Sequence, residues 1–411
     1  MAATSASARA DSPYPRLGVR RVINARGCAT LAGGTLMSPE VLAAYQAGAG
    51  AFALIDELQQ AAGRRIATIT GAEAGYVTSG AAAGIVLATA ACLAGLDVHE
   101  MERLPKATGV RKRVLMPRSH RNGYEWSLQA AGAQLAFFDG AGGAPELRSA
   151  IDSCTAAVFF VADREVPQLT LATTVEVAHA AGLPVVVDAA LALPPVSNLR
   201  RLVATGADLV VFSGGKSIRG PQASGFIAGR ADLALSVALQ HQDMDVRAET
   251  WSRRQLVASK QLARPPHNGL GRGMKVGKEE IVALLAALEE YVGRDHKADQ
   301  RRWRELARQL AGRLNAVAGL TVRVRERDPS GRPVPSVELV VDRELVGRTA
   351  DQLTVALLER DPIILLDDAA GGEGRLRLDV ENLLDAELDE LVSAVADAAN
   401  GGVARTPVGV T

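Results

Sequence analysis

The 411-residue chain is poor in cysteine, in aromatic side chains and in net charge. Its three cysteines, Cys28, Cys92 and Cys154, are far apart and form no CxxC pair. That spacing excludes a disulfide framework or a cysteine-rich zinc site and matches a reducing, cytoplasmic compartment. Aromatic residues make up 4% of the chain, which leaves few platforms on which nucleic-acid bases could stack. Lys plus Arg and Asp plus Glu number 46 each, so the overall basic excess of a nucleic-acid binder is missing, and only a local basic pocket for a small anion remains open. The first dozen residues, MAATSASARADS, contain no apolar centre, so they read as a disordered tail (1–12) and not as a secretory signal. The longest apolar run, Gly80–Leu96, is rich in Ala and Gly and has no basic flank, which marks a buried helix and not a membrane span. The six histidines form no HExxH or similar set, so no metal site is expected. A GxSxG elbow, a dinucleotide fingerprint and a solenoid repeat are also absent.

What is present is an apolar share of 48% and a charged share of 22%, the balance of a soluble globular protein of two or three domains. From about residue 60 helical stretches alternate with short apolar strands: RVLM (113–116), QLAFF (134–138), AAVFFV (156–161), LPVVVD (183–188) and ADLVVFS (207–213). Strands such as VVVD and LVVFS are apolar without alternation, the mark of a largely parallel sheet covered by helices on both faces. An N-terminal segment (13–60) precedes this α/β domain (61–277). Beyond it, long charged helices and a mixture of strands and helices predict a smaller α+β domain (278–411). In open α/β sheets ligands bind at the carboxyl ends of strands, so the loops after VTS, VVVD and VVFS are where chemistry is sought.

Lys216, in VVFSGGKSIRGPQASG, follows a buried strand directly. A phosphate-binding loop of the GxxxxGK[ST] kind fails here, because its first glycine position is Val210, inside the strand. A lysine at a strand end among apolar neighbours is instead suited to attack a carbonyl, and pyridoxal 5'-phosphate (PLP) is the usual cofactor of such a Schiff-base lysine. Asp188 ends the strand VVVD in an apolar setting; it reads either as a cap or ion pair, or as the partner of the PLP pyridine nitrogen. In VTSGAAAG (77–84), Ser79, Gly80 and Ala81 open a long helix whose free N–H groups and small residues suit a phosphate. Ser213 could add a hydroxyl. His120, in MPRSHRNGYEW, is either structural or stacked on the flat face of the cofactor.

These residues resemble those of the selenocysteine-synthase-like group of fold-type I PLP enzymes, which includes seryl-tRNA selenium transferases and D-glucosaminate-6-phosphate ammonia-lyases. The resemblance is carried by LGVRRVINARGCATLAGGTLMSPEV (17–41), DELQQAAGRRIATITGAEAGYVTSGAAAGIVLATAACLAG (56–95), RSHRNGYEW (118–126), VVVDAALALPP (185–195), FSGGKSIRGPQASGFIAGR (212–230) and GRGMKVGKEEIVALLAALE (271–289). It implies an aspartate-aminotransferase-like α/β fold with PLP covalently bound on Lys216, Asp188 at the pyridine nitrogen, Ser79, Gly80 and Ala81 around the phosphate, and His120 on the ring. Arg272 and Lys275, in GRGMKV, stand at the spacing of an arginine pair that handles anionic substrate groups in the selenium transferases; a solvated turn is the competing reading.

The match departs from the selenium transferases in two places. Only about a dozen residues precede the start of the resemblance, so no counterpart of their tRNA-gripping domain is expected. Their NLGR segment is replaced by LAGGTLM (31–37). The chain therefore looks more like the ammonia-lyases, and a small amino-acid substrate is expected in place of a nucleic acid. Elimination of a β-hydroxyl and loss of the amine, giving a 2-oxo acid and ammonia, is the expected reaction. Arg272, Lys275 or an arginine of RLRLD (Arg375, Arg377) is expected to bind the substrate carboxylate or phosphate. Racemisation, aldol cleavage and β-replacement use the same carbanion and remain alternatives, as does a non-catalytic PLP-binding protein. A homodimer or higher even oligomer is expected, because fold-type I sites usually form between subunits.

Overall fold

The computed structural model describes residues 12–401 except 107–108, 165, 167, 242–246 and 268. The tail expected over 1–12 thus lies, Ser12 apart, outside the described residues. The strands are β1 (Val22–Ala25), β2 (Ala74–Thr78), β3 (Arg113–Pro117), β4 (Gln134–Phe138), β5 (Thr155–Val161), β6 (Val185–Asp188), β7 (Leu209–Ser213), β8 (Gly225–Gly229), β9 (Leu320–Arg325), β10 (Ser336–Val341), β11 (Ile363–Leu366) and β12 (Arg375–Asp379). Two compact units result. One runs from Leu36 to Arg294; the other joins the described residues up to Thr35 to those from Asp295 onward.

The larger unit is built on a seven-stranded sheet of order β2-β8-β7-β6-β5-β3-β4. Only β8 runs antiparallel to its neighbours, so the other six strands end along one edge. The continuous apolar strands are divided by the two-residue period of the pleat. Val158, Phe160, Val185, Val187, Val210 and Phe212 pack on one face with Ile66 and Leu284. Phe159, Val161, Val186, Leu209 and Val211 pack on the other with Ile85, Leu87 and Val237. The apolar run of the sequence becomes the helix Ala81–Ala94, buried along most of its length against this second face. Among the described residues no helix is long and apolar enough to cross a membrane.

The division between the units falls at Arg294–Asp295, later than the expected 277–278. The reason is packing: Ile281, Leu284, Ala287, Leu288 and Tyr291 of helix Lys278–Gly293 enter the same core as Val41 and Ile66. The next helix, His296–Leu314, starts a new unit, its first N–H groups capped by the Asp295 carboxylate. The N-terminal segment is likewise split. Helix Pro39–Ala49 belongs to the larger unit, whereas β1 pairs in parallel with β11 and buries Ile23 and Ala25 in the other core.

In that second unit β12, β10 and β9 form an antiparallel sheet. Under it lies a buried charged cluster. Arg332 Nε donates to Asp328 Oδ2 at 2.7 Å and Nη1 to Glu381 Oε2 at 3.1 Å. The Cys28 thiol bonds to Glu381 Oε2 at 3.4 Å. The Glu381 amide donates to Asp379 Oδ1 at 2.7 Å. Burial and the neighbouring Glu381 raise the Asp379 carboxyl to about 7, and burial raises the Cys28 thiol well above its ordinary range.

Candidate active site

The residues singled out near strand ends come together at the carboxyl edge of the seven-stranded sheet. Lys216 sits in the connection from β7 to β8, and its conformation is set by close backbone packing. The Gly214 amide donates to Ser224 O and the Gly220 amide to Gly214 O, both at 2.8 Å. A methyl group on Gly214 would come within 2.3 Å of Ser224 Oγ, and one on Gly215 within 2.7 Å of Gln222 Cα. The glycines before the lysine are therefore required by contact. The Ser217 hydroxyl, buried, donates to Leu193 O at 3.0 Å and ties the loop to the segment after β6.

Asp188 ends β6, which lies between β5 and β7. It is 6% exposed, and its Oδ1 accepts the Ala190 amide at 2.9 Å. Burial raises its pKa; the Ala190 N–H, the Lys216 charge and Arg164 oppose that rise, and Asp163 adds to it. Lys216, three residues past the end of β7, and Asp188, at the end of β6, are thus electrostatic neighbours beyond adjacent parallel strands. The second oxygen of the carboxylate is available for a cationic ring nitrogen.

The phosphate candidates lie at the end of β2. Gly80 has φ of +106°, no side chain caps the helix that begins at Ala81, and the space over Gly80 is open for 4 Å. Gly225, at the start of β8, closes the floor: a methyl there would lie 2.7 Å from Gly80 C and 2.8 Å from Ala81 N. An uncapped helix N-terminus with open space above and backbone below fits a phosphate monoester. Ser213, the last residue of β7, pairs with Gly225 beside it. Ser79 departs from the expectation, because its hydroxyl proton goes to Met274 O at 2.7 Å. With an acid partner the phosphate needs donors, so backbone N–H groups are better placed for it than this hydroxyl.

His120 also differs from the expectation of a ring stacked on the cofactor. It is 0% exposed, edge-on to Phe160 with centroids 4.5 Å apart. Its Nδ1 accepts the Val161 amide and its Nε2 lies 3.1 Å from Arg164 O, so the proton is on Nε2. Burial lowers its pKa to about 4. In this conformation the neutral imidazole offers no open face for stacking; it clasps the ends of β3 and β5 together. Arg164 completes the clasp by donating to Ser119 O and Arg121 O.

Arg272 lies in the 3₁₀ turn Leu270–Met274, half-buried, and Lys275 follows it on the surface. Met274 O, between them, is the acceptor for Ser79, which places this basic segment beside the phosphate candidates. Arg377 belongs to the second unit. It pairs with Asp367, while its Nε and Nη1 are buried without a hydrogen-bond partner. Arg375 pairs with Glu373 at the surface. Two residues beyond those expected shape the site: Gly225, whose sequence signal is a glycine opening a buried strand, and Arg164, whose part depends on partners distant in sequence.

No family model matches the chain. It is 31% identical over 395 residues to the D-glucosaminate-6-phosphate ammonia lyase of Salmonella typhimurium, covering 94% of this chain and 97% of that one. It is 32% identical over 383 residues to a 5'-C-glycyluridine monooxygenase-decarboxylase of a Streptomyces species, covering 89% and 86%. L-seryl-tRNA(Sec) selenium transferase of Solidesulfovibrio magneticus matches at 27% over 92% of this chain and 82% of that protein. A solved structure of D-glucosaminate-6-phosphate ammonia-lyase superposes with a TM-score of 0.79 at 29% identity, over 95% of this chain and 99% of that one. The fold alone is shared with serine palmitoyltransferase from S. paucimobilis with bound PLP, at a TM-score of 0.54 and 15% identity over 93% and 88%.

Proposed function

Because the chain belongs to the selenocysteine-synthase-like family of fold-type I PLP enzymes, we propose that it is an ammonia-lyase that converts a small hydroxy amino acid or amino sugar acid to a 2-oxo acid and ammonia. The observation that carries this reading is the Asp188–Lys216 pair at the carboxyl ends of adjacent strands, together with an uncapped helix N-terminus at the end of β2. Asp188 would hold the pyridine nitrogen of PLP, the amides of Gly80 and Ala81 with the backbone of Ser79 and the hydroxyl of Ser213 would hold its phosphate, and Lys216 would carry it covalently. When bound, PLP supplies an electron sink for the substrate α-carbon.

The remaining chemistry is proton movement by this chain. Lys216 Nζ takes the α-proton, and it or a nearby acid returns a proton to the departing β-hydroxyl, which leaves as water. A water then adds back and ammonium is released, so the net change converts the hydroxy amino acid to the 2-oxo acid and ammonium without any oxidant. Lys216, Arg164 and the Ala190 amide favour the ionised form of Asp188, against the larger pull of its burial. His120 serves as a neutral clasp that fixes the loop after β5, and so the surroundings of Asp188. Arg272 and Lys275 bind an anionic substrate group. The working form is a homodimer or higher even oligomer in the cytoplasm.

The test is an absorption spectrum before and after borohydride, on wild type and Lys216→Ala, followed by a screen of D- and L-hydroxy amino acids and D-glucosaminate 6-phosphate for ammonia release. A visible band abolished by borohydride, with no covalent adduct in the variant, supports the reading. No band after adding PLP overturns it. The Streptomyces relative supports a second reading, oxidative decarboxylation of a glycyl group; oxygen uptake without ammonia release would favour it. Racemisation, aldol cleavage and β-replacement would be recognised in the same screen by their products.

A further inference from the structure

A chain of hydrogen bonds behind the phosphate candidates joins three distant pieces of the larger unit. The Tyr76 hydroxyl, in β2, lies 2.9 Å from His241 Nδ1 at the end of helix Ala231–His241. His241 Nε2 lies 2.8 Å from Met274 O. Met274 O also accepts from Ser79 Oγ at 2.7 Å. A carbonyl only accepts, so the proton of His241 is on Nε2; Nδ1 is then an acceptor, and Tyr76 donates to it. The direction of the chain is therefore fixed: Tyr76 to His241 to Met274. Tyr76 and His241 are both buried, with their rings edge-on and centroids 5.6 Å apart. Burial lowers the pKa of His241, which keeps the ring neutral as this arrangement requires.

The backbone on the far side is pressed against the same helix end. A methyl on Gly269 would lie 2.4 Å from Gln240 O, and one on Gly271 2.5 Å from Leu87 Cδ2 and 2.9 Å from Gln240 O. The stretch 269–275 is thus anchored by backbone contact at its start and by the Met274 carbonyl near its end. Arg272 lies between these anchors and Lys275 directly after the second.

We propose that Tyr76 and His241 are positioning residues for the reaction: through the Met274 carbonyl they lock the basic segment 269–275, with Arg272 and Lys275, onto the Ser79–Gly80–Ala81 turn. This rests on the reading of that turn as the phosphate cradle. The consequence is that cofactor binding and recognition of the substrate anion share one support. Ser79 serves the cradle by holding this support, not by reaching the phosphate with its hydroxyl.

The experiment compares wild type with His241→Leu, His241→Gln and Tyr76→Phe. Glutamine keeps a side-chain N–H for Met274 O, and phenylalanine removes only the relay's first donor, so both remain informative where the leucine variant fails to fold. Two readouts are taken: amide hydrogen exchange over 269–275 and the dissociation constant of PLP from the reconstituted protein. One lost hydrogen bond to a buried acceptor predicts exchange about tenfold faster over 269–275 in His241→Leu, PLP affinity down about five- to tenfold, smaller changes in Tyr76→Phe, and recovery in His241→Gln. Exchange across β5–β7 stays as in wild type. Where a substrate is turned over, His241→Leu raises KM about tenfold and leaves kcat within about twofold. Unchanged exchange over 269–275 in a folded His241→Leu or Tyr76→Phe overturns the proposal, as does a glutamine variant no better than the leucine one. Failure of PLP to bind wild type would instead overturn the cradle reading, while the exchange data still decide the latch.

Discussion

Acidification reaches the His120 clasp before it reaches the ordinary carboxylates. In the unfolded chain an imidazole takes up a proton as pH falls through 6.5; in the folded protein burial holds His120 neutral down to about 4. The clasp's contribution is therefore complete above 6.5 and is lost progressively as pH falls from 6.5 towards 4. The difference corresponds to at most about 3 kcal/mol, of which about 2 kcal/mol has gone by pH 5. The protonated ring would also put an N–H against the Val161 amide that now donates to Nδ1. His120→Gln removes the titration while keeping a side chain that can both donate and accept. Thermal midpoints of both proteins are measured at pH 8 and pH 5, and the imidazole is followed by NMR, assigned by its loss in the variant. Wild type is expected to lose more stability than the variant over this interval. Equal losses, or an imidazole that titrates near 6.5, would refute the buried neutral clasp and reopen the ring for stacking.

Gly225→Ala is expected to lower the thermal midpoint and weaken PLP binding, since its methyl meets backbone of Gly80 and Phe212 at 2.7 Å and overpacking of this kind costs about 1–3 kcal/mol; an unchanged dissociation constant would argue against the cradle floor. Asp188→Asn removes the charge but keeps an acceptor for the Ala190 amide, so the fold and bound PLP are expected to persist while ammonia release falls about 10²- to 10³-fold. Arg332→Met leaves Asp328 and Glu381 buried without their cation and is expected to cost about 3–5 kcal/mol at pH 8, less at pH 5, read by denaturant unfolding.

The buried sheet was legible in the sequence wherever a strand was a continuous apolar run. β5, β6 and β7 declare themselves because both faces are covered and no polar position interrupts them. β1 and β8 were not legible. VINA is four residues with a polar one inside, and GFIAG is framed by glycines that read as turn. Lys216 and Asp188 could be found because strand ends mark where an α/β sheet does chemistry. The parts of His120 and Ser79 could not, because their partners are Arg164 O, 44 residues away, and Met274 O, 195 residues away. Local pattern locates such side chains but does not say what they touch. The boundary between the units was misplaced for a related reason. Helix Lys278–Gly293 is as amphipathic as a linker helix, and only the core that receives its apolar face assigns it to the larger unit.

The pairing of β1 with β11 has a consequence in time. Arg26 Nη1, just past β1, donates to Leu366 O, 340 residues further along the chain. At about 5–20 residues per second of synthesis, β1 waits about 20–70 s for its partner to be made. For most of that wait the residues that share a core with Ile23, which apart from Ala25 all lie from Trp303 onward, are not yet made. Residues 36–294 are complete before β11 exists, so the larger unit can form while the start of the chain is still loose. Whatever is attached to or removed from the first two dozen residues is then felt last, and in the unit built from the other end of the sequence.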